Sequence, residues 1–190
     1  GDDNGLVLPP AVAPIQVVII PAAQHKEGVL EANRALLERL RGRFRVKLDD
    51  SENSPGWKFA EYEMKGVPLG PRDIAAGQCV MVTRHNMEKE IVPLDRVEEV
   101  VAEKLQAVRD GMYEKALANR ERRTYSCTTL DEIRASLKKG DGFVKAMWCG
   151  DPACEERVKA ETGVGSRCIP LEEEHIADTC VCCGKPAQHM

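Results

Sequence analysis

Cysteines carry the clearest chemistry in this chain. Six of the eight, Cys149, Cys154, Cys168, Cys180, Cys182 and Cys183, fall in the last quarter of 190 residues. Cys149 and Cys154 bracket Gly150-Asp151-Pro152-Ala153, and Cys180 and Cys183 bracket Val181-Cys182. A structural zinc ion takes four soft ligands in a closed tetrahedron, and two short-spaced pairs supply them. Gly184 follows the second pair at once, which suits a tight turn whose backbone N–H groups face a thiolate. Four thiolates on Zn²⁺ leave a formal charge of about −2, so such donors and Lys185 would help. Cys182 could replace Cys183 as a ligand, and Cys168 is a further spare. The competing readings are buried free thiols or a redox Cys-x-x-Cys pair. The redox reading lacks a βαβ setting after the motif.

A metal would serve this region structurally, because a small unit buries too little core to be stable alone. Catalytic zinc is not indicated: His25, His85, His175 and His189 are scattered and no H-E-x-x-H is present. His175 sits in an acidic stretch and reads as a surface residue. Disulfides are rare in reducing compartments, so clustered thiols in a chain that reads as intracellular point to metal before crosslinks.

The elements that must position these residues follow from periodicity. Ile15 to Ile20 is an apolar, β-branched run closed by Pro21, as expected of a strand buried on both faces of a parallel sheet. Val29, Ala32, Leu36 and Leu40 recur at helical spacing and end at Gly42. Phe44 to Leu48 alternates like a strand. Ser54-Pro55 starts a helix expected to bury Trp57, Ala60 and Met64 and to end near Gly66. Val67-Pro68-Leu69 is a very short strand, and Gln78 to Thr83 and Glu90 to Leu94 are two more around a polar turn. A long helix starts near Asp95 with Val97, Val101, Leu105, Val108 and Met112 on one stripe. The second unit holds a helix (Leu130, Ile133, Leu137), a strand from Phe143 to Trp148 and the cysteine-rich tail. Strands alternating with helices imply an α/β fold, a mixed sheet covered by helices.

Composition narrows the class. The net charge of −4 argues against a dedicated nonspecific DNA binder. The basic run Arg39, Arg41, Arg43, Arg45 and Lys47 reads by itself as a solvated helix end and edge strand. No apolar run approaches the roughly 20 residues of a membrane helix. The start, Gly1-Asp2-Asp3-Asn4-Gly5, has no signal-peptide pattern and no initiator Met, and reads as part of a longer protein.

Several stretches together resemble one family. Gly1 to Pro10 followed by Ala13-Pro14-Ile15-Gln16-Val17-Val18 is similar to the end of the catalytic domain of class II prolyl-tRNA synthetases of the archaeal and eukaryotic type. Gly56-Trp57-Lys58-Phe59-Ala60-Glu61-Tyr62-Glu63-Met64-Lys65-Gly66-Val67-Pro68-Leu69 and Gly70-Pro71-Arg72-Asp73 resemble the core of its anticodon-binding domain. Cys149 to Cys154, Arg167-Cys168-Ile169-Pro170 and Cys180 to Gly184 resemble its carboxyl-terminal zinc domain.

The resemblance implies a catalytic-domain tail over 1–13, an α/β anticodon-binding domain with a mixed sheet over 14–123, and a small zinc-bound α/β domain over 124–190. It puts the zinc ligands on Cys149, Cys154, Cys180 and Cys183, leaving Cys168 and Cys182 structural. It puts tRNA contacts on Glu63 and Lys89, with Arg72 and Asp73 close by. It implies an aminoacyl-tRNA ligase as parent, with tRNA(Pro) as partner, ATP and Mg²⁺ confined to catalytic motifs upstream, a homodimeric full-length protein and a cytoplasmic location. This chain alone is then not expected to be catalytic.

Two features depart from the family: Leu69 runs straight into Gly70, where members carry a longer strand with an Arg, and Met190 ends a chain that members continue. Two alternative readings remain. One is a zinc-stabilised protein-interaction module without an RNA role, which the acidic charge suits. The other is the anticodon domain of a glycyl or threonyl synthetase, which the zinc tail opposes.

Overall fold

The computed structural model describes residues 7–62, 66–83 and 85–190. It divides into two compact units, Gly1–Glu114 and Lys115–Met190. In the first, strand β1 (Val17–Pro21) runs parallel to β2 (Val46–Leu48) on one side and to β3 (Gly66–Leu69) on the other. Parallel neighbours need a crossover connection, and helix α1 (Val29–Arg41) supplies it between β1 and β2. Every residue of β1 is buried, as its unbroken apolar run requires. Strands β4 (Gln78–Val82) and β5 (Lys89–Pro93) form an antiparallel hairpin with Val82 opposite Lys89. Parallel and antiparallel pairs thus coexist, giving the mixed α/β architecture.

Helix α2 (Pro55–Glu61) starts on Ser54, whose hydroxyl accepts the Trp57 N–H at 3.2 Å. It differs from expectation in phase and length. Trp57 is 48% exposed, while Lys58 is 1% exposed. The Lys58 ammonium donates to the Asp49 carbonyl (2.9 Å) and to Gln24 Oε1 (3.1 Å), and lies 3.8 Å from Asp49 Oδ1. A buried charge with that many partners turns the helix so that the indole faces out. Met64, the third expected core residue, lies outside the described residues.

Gly70-Pro71-Arg72-Asp73 forms a short helix, α3 (Pro71–Ala75), with Pro in the first turn; the Asp73 carboxylate accepts the Gly70 N–H at 3.0 Å. After a 3₁₀ turn at Leu94–Arg96 comes the long helix α4 (Val97–Arg122). Its Val97, Val100 and Val101 join Val17, Ile19, Leu36, Leu40, Cys79, Met81 and Val92 in one core. The basic run on α1 and β2 is occupied structurally. Arg39 pairs with Glu98, Arg41 with Glu38, Arg43 covers Phe44, and Arg45 binds the carbonyls of Pro10, Ala11 and Ala13.

The second unit has strand β6 (Thr124–Ser126) parallel to β7 (Phe143–Lys145), joined through helix α5 (Leu130–Leu137). Thr129 caps α5 by accepting the Glu132 N–H at 3.2 Å. Helix α6 (Pro152–Thr162) follows. β7 stops at Lys145, short of the expected Trp148. From there Trp148 bridges to His189.

Candidate metal centre and nucleic-acid interface

Three segments of the second unit bring the cysteines together. Cys149 follows Trp148, whose indole N–H donates to the Asp151 carbonyl at 3.0 Å. Asp151 caps α6, accepting the Ala153 N–H at 3.0 Å, and Pro152 opens the helix, so Cys154 sits buried in its first turn. The third segment is a tight turn from Cys180 to Gly184. The Gly184 N–H donates to the Cys180 carbonyl (3.1 Å), and the Cys180 N–H to the Lys185 carbonyl (2.8 Å). Gly184 has φ of 72°, a left-handed conformation that glycine adopts freely. The Val181 N–H donates to the Met147 carbonyl at 2.9 Å and ties this turn to the segment leading into Cys149.

The result is a four-sulfur cluster. The Sγ atoms of Cys149, Cys154, Cys180 and Cys183 all lie within 4.8 Å of one another. Cys149 Sγ is 3.7 Å from both Cys154 Sγ and Cys183 Sγ. A tetrahedral ion bound at roughly 2.3 Å to each sulfur requires S···S edges of roughly 3.8 Å. All eight cysteines are free thiols. The donor set, four soft sulfurs around one point, therefore fits a thiophilic metal such as zinc.

The electrostatics favour ionised sulfur at one corner. Burial opposes ionisation of Cys180, but N–H groups of Cys183, Cys182 and Cys149 outweigh it and bring the thiol down to about 7. Cys154 moves the other way, raised by its hydrogen bond to Cys183 and by burial. A cation at the centre would compensate the repulsion among these sulfurs. Cys183 stands in the cluster, whereas Cys182 contributes its N–H to Cys180.

In the first unit, Lys89 opens β5 on the exposed side. Its neighbours Glu88 and Glu90 both pair with Lys104 of α4, at 3.7 and 2.6 Å. Among the described residues no ion pair engages Lys89 or Arg72, and both are exposed. Asp73 is committed to capping α3. Glu63 lies outside the described residues, two positions beyond the end of α2. Periodicity and motif spacing do not single out Asp151 or Lys58. A Cys-x-Asp-Pro start does carry a helix-cap signal that places α6.

Comparison with known proteins gives matches in both units. Residues 16–104 match the family model described as the anticodon binding domain, and residues 130–190 match the one described as the carboxyl-terminal domain of prolyl-tRNA synthetase. A protein named proline–tRNA ligase from Ruminiclostridium cellulolyticum is 54% identical over 194 residues, four more than this chain contains. Proline–tRNA ligase of Clostridium botulinum (strain Loch Maree) is 53% identical, and proline–tRNA ligase 2 of Bacillus cereus 50%. In each case the whole of this chain is covered, and 41% of the relative. The chain thus spans about two fifths of the length of the curated relatives it matches. With both domain models matched in chain order, the chain belongs to the prolyl-tRNA synthetase family and corresponds to its anticodon-binding and carboxyl-terminal region.

Proposed function

We propose that this chain reads the anticodon of tRNA(Pro) for a prolyl-tRNA synthetase, with an anticodon-binding domain over 14–123 and a zinc-braced domain over 124–190. The observation that carries the reading is the anticodon-binding match over 16–104 on an α/β unit that leaves Lys89 exposed and without a carboxylate partner among the described residues. Proline anticodons end in two guanines. The guanine Watson–Crick edge presents N1–H and N2–H donors, which the Glu63 carboxylate can accept, and its O6 and N7 acceptors suit the Lys89 ammonium. Arg72, exposed at the start of α3, supplies a guanidinium for a phosphate or base, and Asp73 holds that turn in shape.

Zinc at Cys149, Cys154, Cys180 and Cys183 would supply the folding energy that a small unit lacks. The parent enzyme would carry out ATP-dependent ligation of proline to tRNA as a homodimer in the cytoplasm. Its ATP and Mg²⁺ would bind in a catalytic domain outside this chain.

The test is binding of the chain to a proline anticodon stem-loop at low and moderate salt, against a loop with both guanines replaced. Glu63→Ala and Lys89→Ala should each erase part of the guanine preference, about 1–3 kcal/mol per contact. Equal affinity for both loops would remove the anticodon-reading role.

A further inference from the structure

The second unit carries a positively charged face that the anticodon reading does not use. Helices α4 and α5 both end beside the start of the β6–β7 pair. The Arg123 N–H donates to the Arg120 carbonyl at 3.1 Å, and the Phe143 N–H to the Arg123 carbonyl at 2.8 Å. Thr124 stands opposite Phe143, and Tyr125 opposite Val144. The connection after α5 folds back tightly: a Cβ on Gly142 would come 2.1 Å from the Arg123 carbonyl oxygen. Lys139 lies over the Tyr125 ring, 5.6 Å from its centroid. Arg120, Arg122, Arg123, Lys138 and Lys139, all exposed, therefore lie in the two segments that meet at this end of the strand pair, where Phe143 is 55% exposed.

The ordinary explanation is that cations at a helix carboxyl end offset its dipole. The magnitudes do not balance. Each helix end contributes about −0.5 of a charge. Glu121 and Asp141 are the carboxylates in these same segments, against five cations. An excess of roughly two positive charges is left facing solvent. None of the five is in an ion pair among the described residues, and Arg122 donates only to Asn119 Oδ1. Elsewhere in the unit, Arg134, Lys145 and Arg157 each hold a carboxylate. Cations without carboxylate partners beside an exposed ring suit a nucleic-acid backbone, with phosphates on the charges and a base or ribose against the ring.

We infer that the edge formed by Arg120, Arg122, Arg123, Lys138, Lys139 and Phe143 is a second, sequence-independent contact for the phosphate backbone of the tRNA. This rests on tRNA being the partner of the chain, and makes the zinc-braced unit part of the RNA-binding surface as well as a brace.

The experiment uses the full chain with two whole transcripts, tRNA(Pro) and the same molecule with both anticodon guanines replaced, across a salt series. The variants are Arg123→Ala/Lys138→Ala/Lys139→Ala and, as a charge-preserving control, Lys138→Arg/Lys139→Arg. Removing one phosphate-binding cation should lower the slope of log affinity against log salt by roughly 0.7–0.9, so about two or more for the triple variant. Both transcripts should weaken by the same factor, with the guanine preference unchanged and the arginine control behaving as the parent. Unchanged slope and affinity in the triple variant would overturn the inference. So would weakening of only the guanine transcript, failure of the parent to bind either transcript, or an effect seen on anionic vesicles and not on RNA. A slope change without any guanine preference would sustain this contact while removing the anticodon reading.

Discussion

Lys58 offers the sharpest test of how α2 is held. Its ammonium makes two charge-assisted hydrogen bonds, to the Asp49 carbonyl and Gln24 Oε1, and faces the Asp49 carboxylate. Each such bond contributes about 1.5–3 kcal/mol. Lys58→Met keeps most of the volume but strands both acceptors and leaves Asp49, 5% exposed, as a buried charge without its cation. Breaking a buried pair in this way costs about 3–5 kcal/mol. That is a large share of the roughly 5–15 kcal/mol that holds a domain folded. The assay is urea unfolding followed by circular dichroism, with Lys58→Met, Asp49→Asn and the double variant forming a cycle. The double variant should lose less than the sum of the singles, with a coupling of about 0.5–3 kcal/mol. A loss below about 1 kcal/mol for Lys58→Met, with no coupling, would mean that the ammonium is hydrated, and would refute the buried-charge account of why Trp57 faces out.

The remaining expectations concern acid and metal. Burial opposes ionisation of Asp49, but its bonds from Ser51 and the Lys58 charge outweigh it and hold the carboxyl below its ordinary value. A depressed carboxyl contributes stability above its unfolded pKa, near about 4, and that stability is lost as pH falls through the folded value. Asp49→Asn should therefore flatten the acid limb of the stability curve below about pH 4, read as urea midpoints at about pH 3 and pH 7. For the cysteine cluster, elemental analysis of protein purified with zinc should give one ion per chain. Cys180→Ser should lose it and Cys182→Ser keep it, with Trp148 fluorescence reporting the loss through its bond to Asp151. Retention of zinc in Cys180→Ser would exclude that sulfur as a ligand.

Much of this is legible in residue order. A β-branched run between prolines can only be a buried parallel strand or a short core helix, and its length and branching settle that for β1. Paired cysteines at short spacing announce a metal because local chain geometry brings each pair together. Helix ends marked by Ser54-Pro55 and Gly42 follow from backbone chemistry that acts within a turn. The register of those elements is not legible. Periodicity places Trp57 inward, and a charged residue one position later takes the site, because Asp49 and Gln24, which neutralise and bind it, arrive from distant parts of the chain.

Residue types and local spacing by themselves determined most of the strands and helices in their order and the candidate ligands, since each depends on interactions within a few residues; the helices α3 and α6 were not among them. Tertiary structure alone decided which sulfurs meet: the choice of Cys183 over Cys182 turns on the direction of a side chain in the Cys180–Gly184 turn. It also decided that cations ending two separate helices share one edge, because parallel pairing of β6 with β7 brings together residues that lie some twenty positions apart. Charge at that edge is a sum over space, and no local pattern in the sequence contains it.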